Sequence, residues 1–177
     1  MKKNISICLI CIAFIIIYIL QANFFSWFTI AGVKPNLFVI FVLFLGLFGG
    51  KYMGVISGVI SGLLLDFFMG KNVGISAIML GAVGIIAGIL DKNFSKDSKL
   101  TIILMIMATT FIYEIGSYII NSIIFSYEVA IWNFIRILLI EIFYNAILTI
   151  ILYPLIQRLG FSLEEIYKEN KILTRYF

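Results

Sequence analysis

Long apolar runs separated by short polar breaks dominate the chain. A helix of about 20 apolar residues crosses the roughly 30 Å hydrocarbon core of a bilayer. On that measure the runs predict six membrane-spanning helices, at residues 5–21, 36–50, 52–69, 74–90, 100–124 and 131–153. The second run is short and only Lys51 marks its end, so a tilted or re-entrant helix is an alternative there.

The chain beyond residue 156 has a different pattern. Gly160 predicts the end of the sixth helix, and Ser162 followed by Glu165 has the capping-box spacing that starts a new one. The new helix would carry apolar and charged faces, as interfacial helices do. We therefore divide the chain into a six-span bundle at 1–156 and a cytoplasmic amphipathic tail at 157–177; a frayed tail is the alternative.

The composition agrees with a lipid environment. Hydrophobic residues make up 63% of the chain and charged residues only 12%, whereas soluble domains have about 25% charged residues. No water-soluble fold of this length can hide so much apolar surface. The predicted fold class is an all-α, polytopic membrane protein.

The distribution of basic residues predicts the orientation. With a cytoplasmic N-terminus, ten of the 13 Lys and Arg residues lie on the cytoplasmic side, and the others are Lys34, Lys71 and Arg136. The positive-inside rule therefore favours two cytoplasmic termini. Trp27 and Trp132 then fall at the opposite interface, where indole rings are enriched. The basic residues cluster beside apolar runs, which does not indicate nucleic acid as a partner.

Catalytic and metal chemistry have little support in the sequence. The chain contains no histidine, which excludes histidine-based hydrolase triads and most zinc or haem sites. It also carries no phosphate-binding loop or hydrolase motif. We expect a protein that is not an enzyme, with no cofactor, no metal and no small-molecule substrate.

Small residues repeat along the third and fourth predicted spans. The third span has one every four positions, at Gly54, Gly58 and Gly62, followed by Asp66. The fourth span alternates spacings of three and four, at Gly74, Ala77, Gly81, Gly84 and Gly88. These periods predict close helix packing on separate faces of the two helices. Packing within the bundle explains them; a groove for a partner helix is the alternative.

Four ionisable side chains lie inside the predicted spans: Asp66, Glu114, Arg136 and Glu141. Each costs roughly 2.5 to 3.5 kcal/mol at a helix centre unless it is paired or hydrated. Asp66 and Arg136 have matching depths, which predicts an ion pair. Three interpretations are open for Glu114 and Glu141, the second of which has Asn145 one turn later. They are neutral hydrogen-bond donors, residues of a water-filled transport pathway, or contacts to a partner.

The centre of the chain resembles a known family. Its features are Val33-Lys34-Pro35-Asn36-Leu37, then Gly62-Leu63-Leu64-Leu65-Asp66, then Gly70, Gly74 and Ala77. This set resembles the motifs of the MreD family of bacterial rod shape-determining membrane proteins, over about 33–90, and the length and six-span layout extend the likeness. Asn36 stands where the family has Asp, and Ser76 where it has Asn.

The resemblance implies a subunit of the cell-wall elongation complex in the bacterial cell membrane. Such a subunit binds MreC and, through it, couples MreB filaments to the glycosyltransferase RodA and its class B transpeptidase. On this hypothesis, the protein clasps the single transmembrane helix of MreC, with Glu114 or Glu141 bonding across the interface.

The family's architecture is similar to that of the substrate-binding subunits of energy-coupling-factor vitamin transporters, which supply the alternative function. Those subunits use a small-xxx-small contact on the first helix to bind their coupling subunit. Here Ala13 is followed four residues later by Ile17, which weighs against that alternative.

Overall fold

The computed structural model describes residues 2–69, 74–93, 96, 98–125 and 130–168. Helices of 13 residues or more within these ranges are α1 (Lys2–Ile19), α2 (Leu37–Gly49), α3 (Lys51–Met69), α4 (Ile75–Asn93), α5 (Lys99–Phe125) and α6 (Ile131–Lys168). After α1 the helix continues through a π-helical turn, Leu20–Phe24, to Phe25–Trp27.

Four of these helices are long and apolar enough to cross a membrane. The stretches are Ser6–Trp27, in α1 and its continuation, Lys51–Phe68 in α3, Lys99–Ile124 in α5 and Ile131–Tyr167 in α6. The apolar stretches of α2 and α4 are shorter, at Leu37–Gly49 and Ile75–Asp91. A helix of the length of α2 rises about 20 Å, which is about 10 Å less than the hydrocarbon core. The prediction of an all-α membrane protein is confirmed, with four candidate crossings among the described residues.

The short helix α2 lies at the centre of the bundle. Eleven of its 13 residues are buried, and it packs against α3, α4, α5 and α6. A helix that is apolar on every side is expected where every side meets another helix. The pairing of Phe14 with Phe38, whose ring centroids are 5.6 Å apart, brings α1 against it as well.

Glycines bring α3 and α4 into close contact. A Cβ atom added at Gly58 would overlap the Leu80 carbonyl oxygen, and one added at Gly54 would lie 2.9 Å from the Gly84 oxygen. A Cβ at Gly62 would overlap the Ala77 backbone. The two small-residue patterns therefore face each other, and the prediction that they use separate faces is wrong. Packing within the bundle, the first of the two interpretations, accounts for them.

The last helix does not break where the sequence predicted. Gly160 lies inside α6, which runs on to Lys168, and Pro154 also lies inside it. Gly160 is buried, and a Cβ added there would lie 2.6 Å from the Phe48 ring. The glycine therefore permits close packing and does not end the helix. The Ser162 hydroxyl donates to the Arg158 carbonyl at 3.2 Å, so it does not cap a new helix.

Lys96 holds the C-terminal part of α6 against the bundle. Its Nζ lies 2.6 Å from a carboxylate oxygen of Asp91 and 2.6 Å from one of Glu164. The same ammonium group lies 5.2 Å from the centroid of the Phe48 ring. A cation between two carboxylates and an aromatic face is stabilised on all three sides.

Two glycine substitutions, one against backbone and one against a side chain, test the α3–α4 contact. Gly58→Ala places its methyl group against backbone, which cannot move aside, so we expect a loss of about 1–3 kcal/mol in the free energy of unfolding. Gly81→Ala is the control, because its Cβ would meet only the Val59 side chain, at 3.0 Å. Unfolding in detergent micelles measures both. Equal losses would contradict the packing described here.

Candidate functional site

Polar side chains from several helices meet around the first residues of α2 and α4. The opening N–H groups of a helix have no partner within it, and lipid offers no water to satisfy them. Side-chain oxygens must therefore do so. We call the residues that surround these two helix starts the polar cluster: Gln21, Asn36, Asp66, Ser76, Thr110, Tyr113 and Asn145.

Asn36 and Asn145 join the start of α2 to α6. The Asn36 backbone N–H donates to Asn145 Oδ1 at 2.8 Å, and the Asn36 Oδ1 accepts from the Val39 N–H at 3.4 Å, as an N-cap does. Asn145 is fully buried, and its Nδ2 donates to the Thr110 hydroxyl of α5 at 3.0 Å. The Asn145 amide thus links three helices through its two ends.

Gln21 contributes a second cap to α2. Its Oε1 accepts from the Leu37 N–H at 3.0 Å, and its Nε2 donates to the Pro35 carbonyl at 2.7 Å. Gln21 lies in the π-helical turn that follows α1, and such turns often mark functional positions. The sequence analysis missed this residue; its signal was an amide at the end of an otherwise apolar run.

Asp66 caps α4 and does not pair with Arg136. Its Oδ2 accepts from the N–H groups of Gly74, at 2.8 Å, and Ser76, at 3.1 Å. Arg136 is exposed, and its guanidinium donates to the Ala31 carbonyl at 3.2 Å. The predicted ion pair is therefore wrong. A helix N-terminus carries partial positive charge and free donors, so it satisfies a carboxylate, whereas a long arginine reaches towards the polar surface.

Tyr113 connects the starts of the two short helices. Tyr113 is buried, and its hydroxyl lies near the side chains of Ser76 and Asn36. Tyr113 was not predicted as a site residue, because a tyrosine in an apolar helix gives no signal of its partners. The Asn36 side chain caps α2, and the Ser76 backbone N–H donates to Asp66.

Glu114 and Glu141 lie at the same level of the α5–α6 contact. The bond between Thr110 and Asn145 sets the register of these antiparallel helices, and each acid lies one turn from it in the same direction. Glu141 is buried, with 7% of its surface exposed, whereas Glu114 is half-buried.

The other predicted site residues have structural positions. Pro35 is buried beside Gln21, and Gly74 adopts φ +105°, which favours glycine. The α3–α4 contact contains Gly54, Gly58, Gly62, Ala77 and Gly81. Gly70 lies outside the described residues. Among those that are described, no group of three or more Cys, Asp or Glu residues could hold a metal ion.

Comparison with known proteins identifies a family that the chain matches. A protein-family model described as rod shape-determining protein MreD matches residues 1–160. That range contains the polar cluster and the α3–α4 contact. No curated protein matches the chain, and no solved structure matches it.

The capping role of Asp66 can be separated from an ion pair. Asp66→Ala leaves the N–H groups of Gly74 and Ser76, the second of them buried, without this acceptor, so we expect a loss of about 1–3 kcal/mol in the free energy of unfolding. Arg136→Gln changes an exposed side chain and should alter it by less than about 0.5 kcal/mol. Unfolding in detergent tests both variants and the double variant. Similar losses from the two single changes, and no further loss in the double variant, would indicate an ion pair instead.

Proposed function

Because the chain belongs to the MreD family of rod shape-determining proteins, we propose that it is a non-enzymatic membrane subunit of the bacterial cell-wall elongation complex. It binds MreC and so couples MreB filaments to peptidoglycan synthesis by RodA and the class B transpeptidase. The family match supports the role in rod shape, and the four apolar helices support the membrane location. Neither favours the vitamin-transporter alternative.

The proposed orientation places both termini in the cytoplasm of the bacterial cell. Lys51, Lys96 and Lys99 lie at the ends of helices that meet opposite the polar cluster, which fits the cytoplasmic side. Trp27 and Trp132 are almost fully exposed, as interface residues are. In this arrangement α2 and α4 are the second and fourth of six membrane helices, and residues 157–177 are cytoplasmic.

We place a helical partner at the part of the α5–α6 hairpin that lies beyond the polar cluster. α6 begins 14 residues before Asn145, and α5 ends 12 residues after Tyr113, so both helices extend about 20 Å beyond the polar cluster. Leu138 is the one buried residue between 131 and 140. On α6, seven of the ten residues 131–140 are exposed.

A polar stripe on this part of α5 favours a protein partner over lipid. Glu114, Ser117 and Asn121 are each half-buried and lie three to four residues apart, on one side of the helix. Polar side chains form favourable contacts between membrane helices, and three of them on one side of α5 offer such contacts to a partner helix. We assign the single transmembrane helix of MreC to this stripe, with Glu114 as the bonding acid. Glu141 is buried between α5 and α6, so it supports the interface from within.

Co-purification tests this assignment. Tagged protein is co-expressed with MreC and recovered in nanodiscs, and the MreC that comes with it is quantified. Glu114→Leu should lower MreC recovery about fivefold, since one polar contact between membrane helices contributes about 1–2 kcal/mol. Glu114→Gln keeps a hydrogen-bonding group and should retain more. Glu165→Leu, at an exposed position near the far end of α6, is the control.

Two results would count against the proposal. Unchanged MreC recovery with a folded Glu114→Leu variant would remove Glu114 from the interface. Recovery of a transporter coupling subunit with its ATPases, in place of MreC, would favour the vitamin-transporter alternative.

A further inference from the structure

A tight turn at residues 30–33 carries two basic side chains that the proposed function does not use. Ile30 and Val33 exchange backbone hydrogen bonds of 3.0 and 2.9 Å. The two residues between them have positive φ, +51° at Ala31 and +81° at Gly32. Such a doubly bonded reversal has little conformational freedom, so groups attached to it are held in place.

Lys34 and Arg136 are both attached to this turn. Lys34 follows it directly, and its Nζ donates to the Ser26 hydroxyl at 2.8 Å. Arg136 comes from α6, and its guanidinium donates to the Ala31 carbonyl at 3.2 Å. Two separate parts of the chain therefore place positive charge around the same four residues.

Neither charge is neutralised by a carboxylate in the described parts of the chain. The ion pairs in those parts of the chain join Lys96 to Asp91 and Glu164, away from this turn. Lys34 and Arg136 are both exposed, and the hydrogen bonds that they make go to a hydroxyl and a carbonyl. Each keeps N–H groups available for an anion.

An apolar groove lies on the same short segment that carries Ser26, the partner of Lys34. It is lined by Asn23, Phe24, Trp27 and Phe28. The rings of Phe24 and Phe28 are stacked with centroids 4.6 Å apart, and the Tyr144 hydroxyl donates to the Phe28 carbonyl at 2.7 Å. The groove is therefore fixed to α6, the helix that carries Arg136.

We propose that Lys34, Arg136 and this groove form a binding site for an anionic phospholipid. The phosphate group accepts hydrogen bonds from the ammonium and guanidinium groups. The upper part of an acyl chain lies along the aromatic groove, with the Trp27 indole at headgroup level, where interfacial tryptophans lie. Two cations at one turn, with an apolar groove on the segment before it, match a ligand that is anionic at one end and apolar at the other.

The chemistry of the site distinguishes this ligand from a free anion. Exposed cations are well hydrated, so inorganic phosphate gains little from them, and it makes no use of the groove. A zwitterionic lipid fills the groove, but its own ammonium group opposes the two positive charges. An anionic phospholipid satisfies both halves of the site.

Native mass spectrometry of the full-length protein tests the proposal. The protein is released from detergent in the presence of equal amounts of phosphatidylglycerol and phosphatidylcholine, and the bound lipids are counted. Lys34→Gln combined with Arg136→Gln should lower phosphatidylglycerol binding roughly tenfold, because each basic residue near a membrane surface contributes to the attraction of anionic lipid. Trp27→Ala should also lower it while both charges remain.

The control changes two exposed basic residues away from the turn. Lys51→Gln with Arg158→Gln removes the same charge and should leave binding within about twofold. An equal fall in both double variants would show that only net charge matters and would overturn the site. Binding of phosphatidylcholine to the same extent, or displacement of phosphatidylglycerol by millimolar inorganic phosphate, would overturn it as well. If the double variant does not fold, Lys34→Gln alone should lower binding about threefold.

Discussion

Backbone N–H groups that begin a buried helix must find acceptors within the protein, and α2 and α4 both impose that requirement. Gln21 and Asn145 satisfy α2 from two other helices, and Asp66 satisfies α4 from a third. Because the acceptors lie on different helices, they reach the short helices only when the bundle is assembled. The polar cluster therefore specifies one arrangement of otherwise uniformly apolar helices, which dispersion alone would distinguish poorly.

Close packing and capping depend on each other at the α3–α4 contact. Gly62 lies against Ala77, and Asp66 is one turn further along α3, where it bonds the N–H of Ser76. A larger side chain at residue 62 would push α4 away and lengthen that bond as well. The small residues thus do more than add dispersion energy between α3 and α4. They also place the Asp66 carboxylate at the start of α4.

The sequence predicted the helices better than their partners. The second span was predicted at 36–50 and the helix is Leu37–Gly49; the fifth was predicted at 100–124 and the helix is Lys99–Phe125. The agreement is close because a chain segment in lipid must be helical, so the apolar runs mark the helices. The prediction of Arg136 as the partner of Asp66 was wrong because it compared only the depths of charged side chains, whereas the groups that donate to Asp66 are backbone N–H groups. Gly160 failed for a related reason: its role depends on Phe48, which is distant in sequence. Gln21 and Tyr113 needed the fold before their acceptors and donors could be named.

The length of α6 gives the proposed role a physical basis. This helix runs without a break from the outer hairpin to the contact between Glu164 and Lys96, a distance of about 57 Å for 38 residues. Pro154 removes one backbone hydrogen bond part of the way along, between the partner stripe on the hairpin and the Lys96 ion pairs. A partner that tilts the hairpin therefore acts on a helix with one weakened point, and the bend would change how the last turns of α6 meet Lys96.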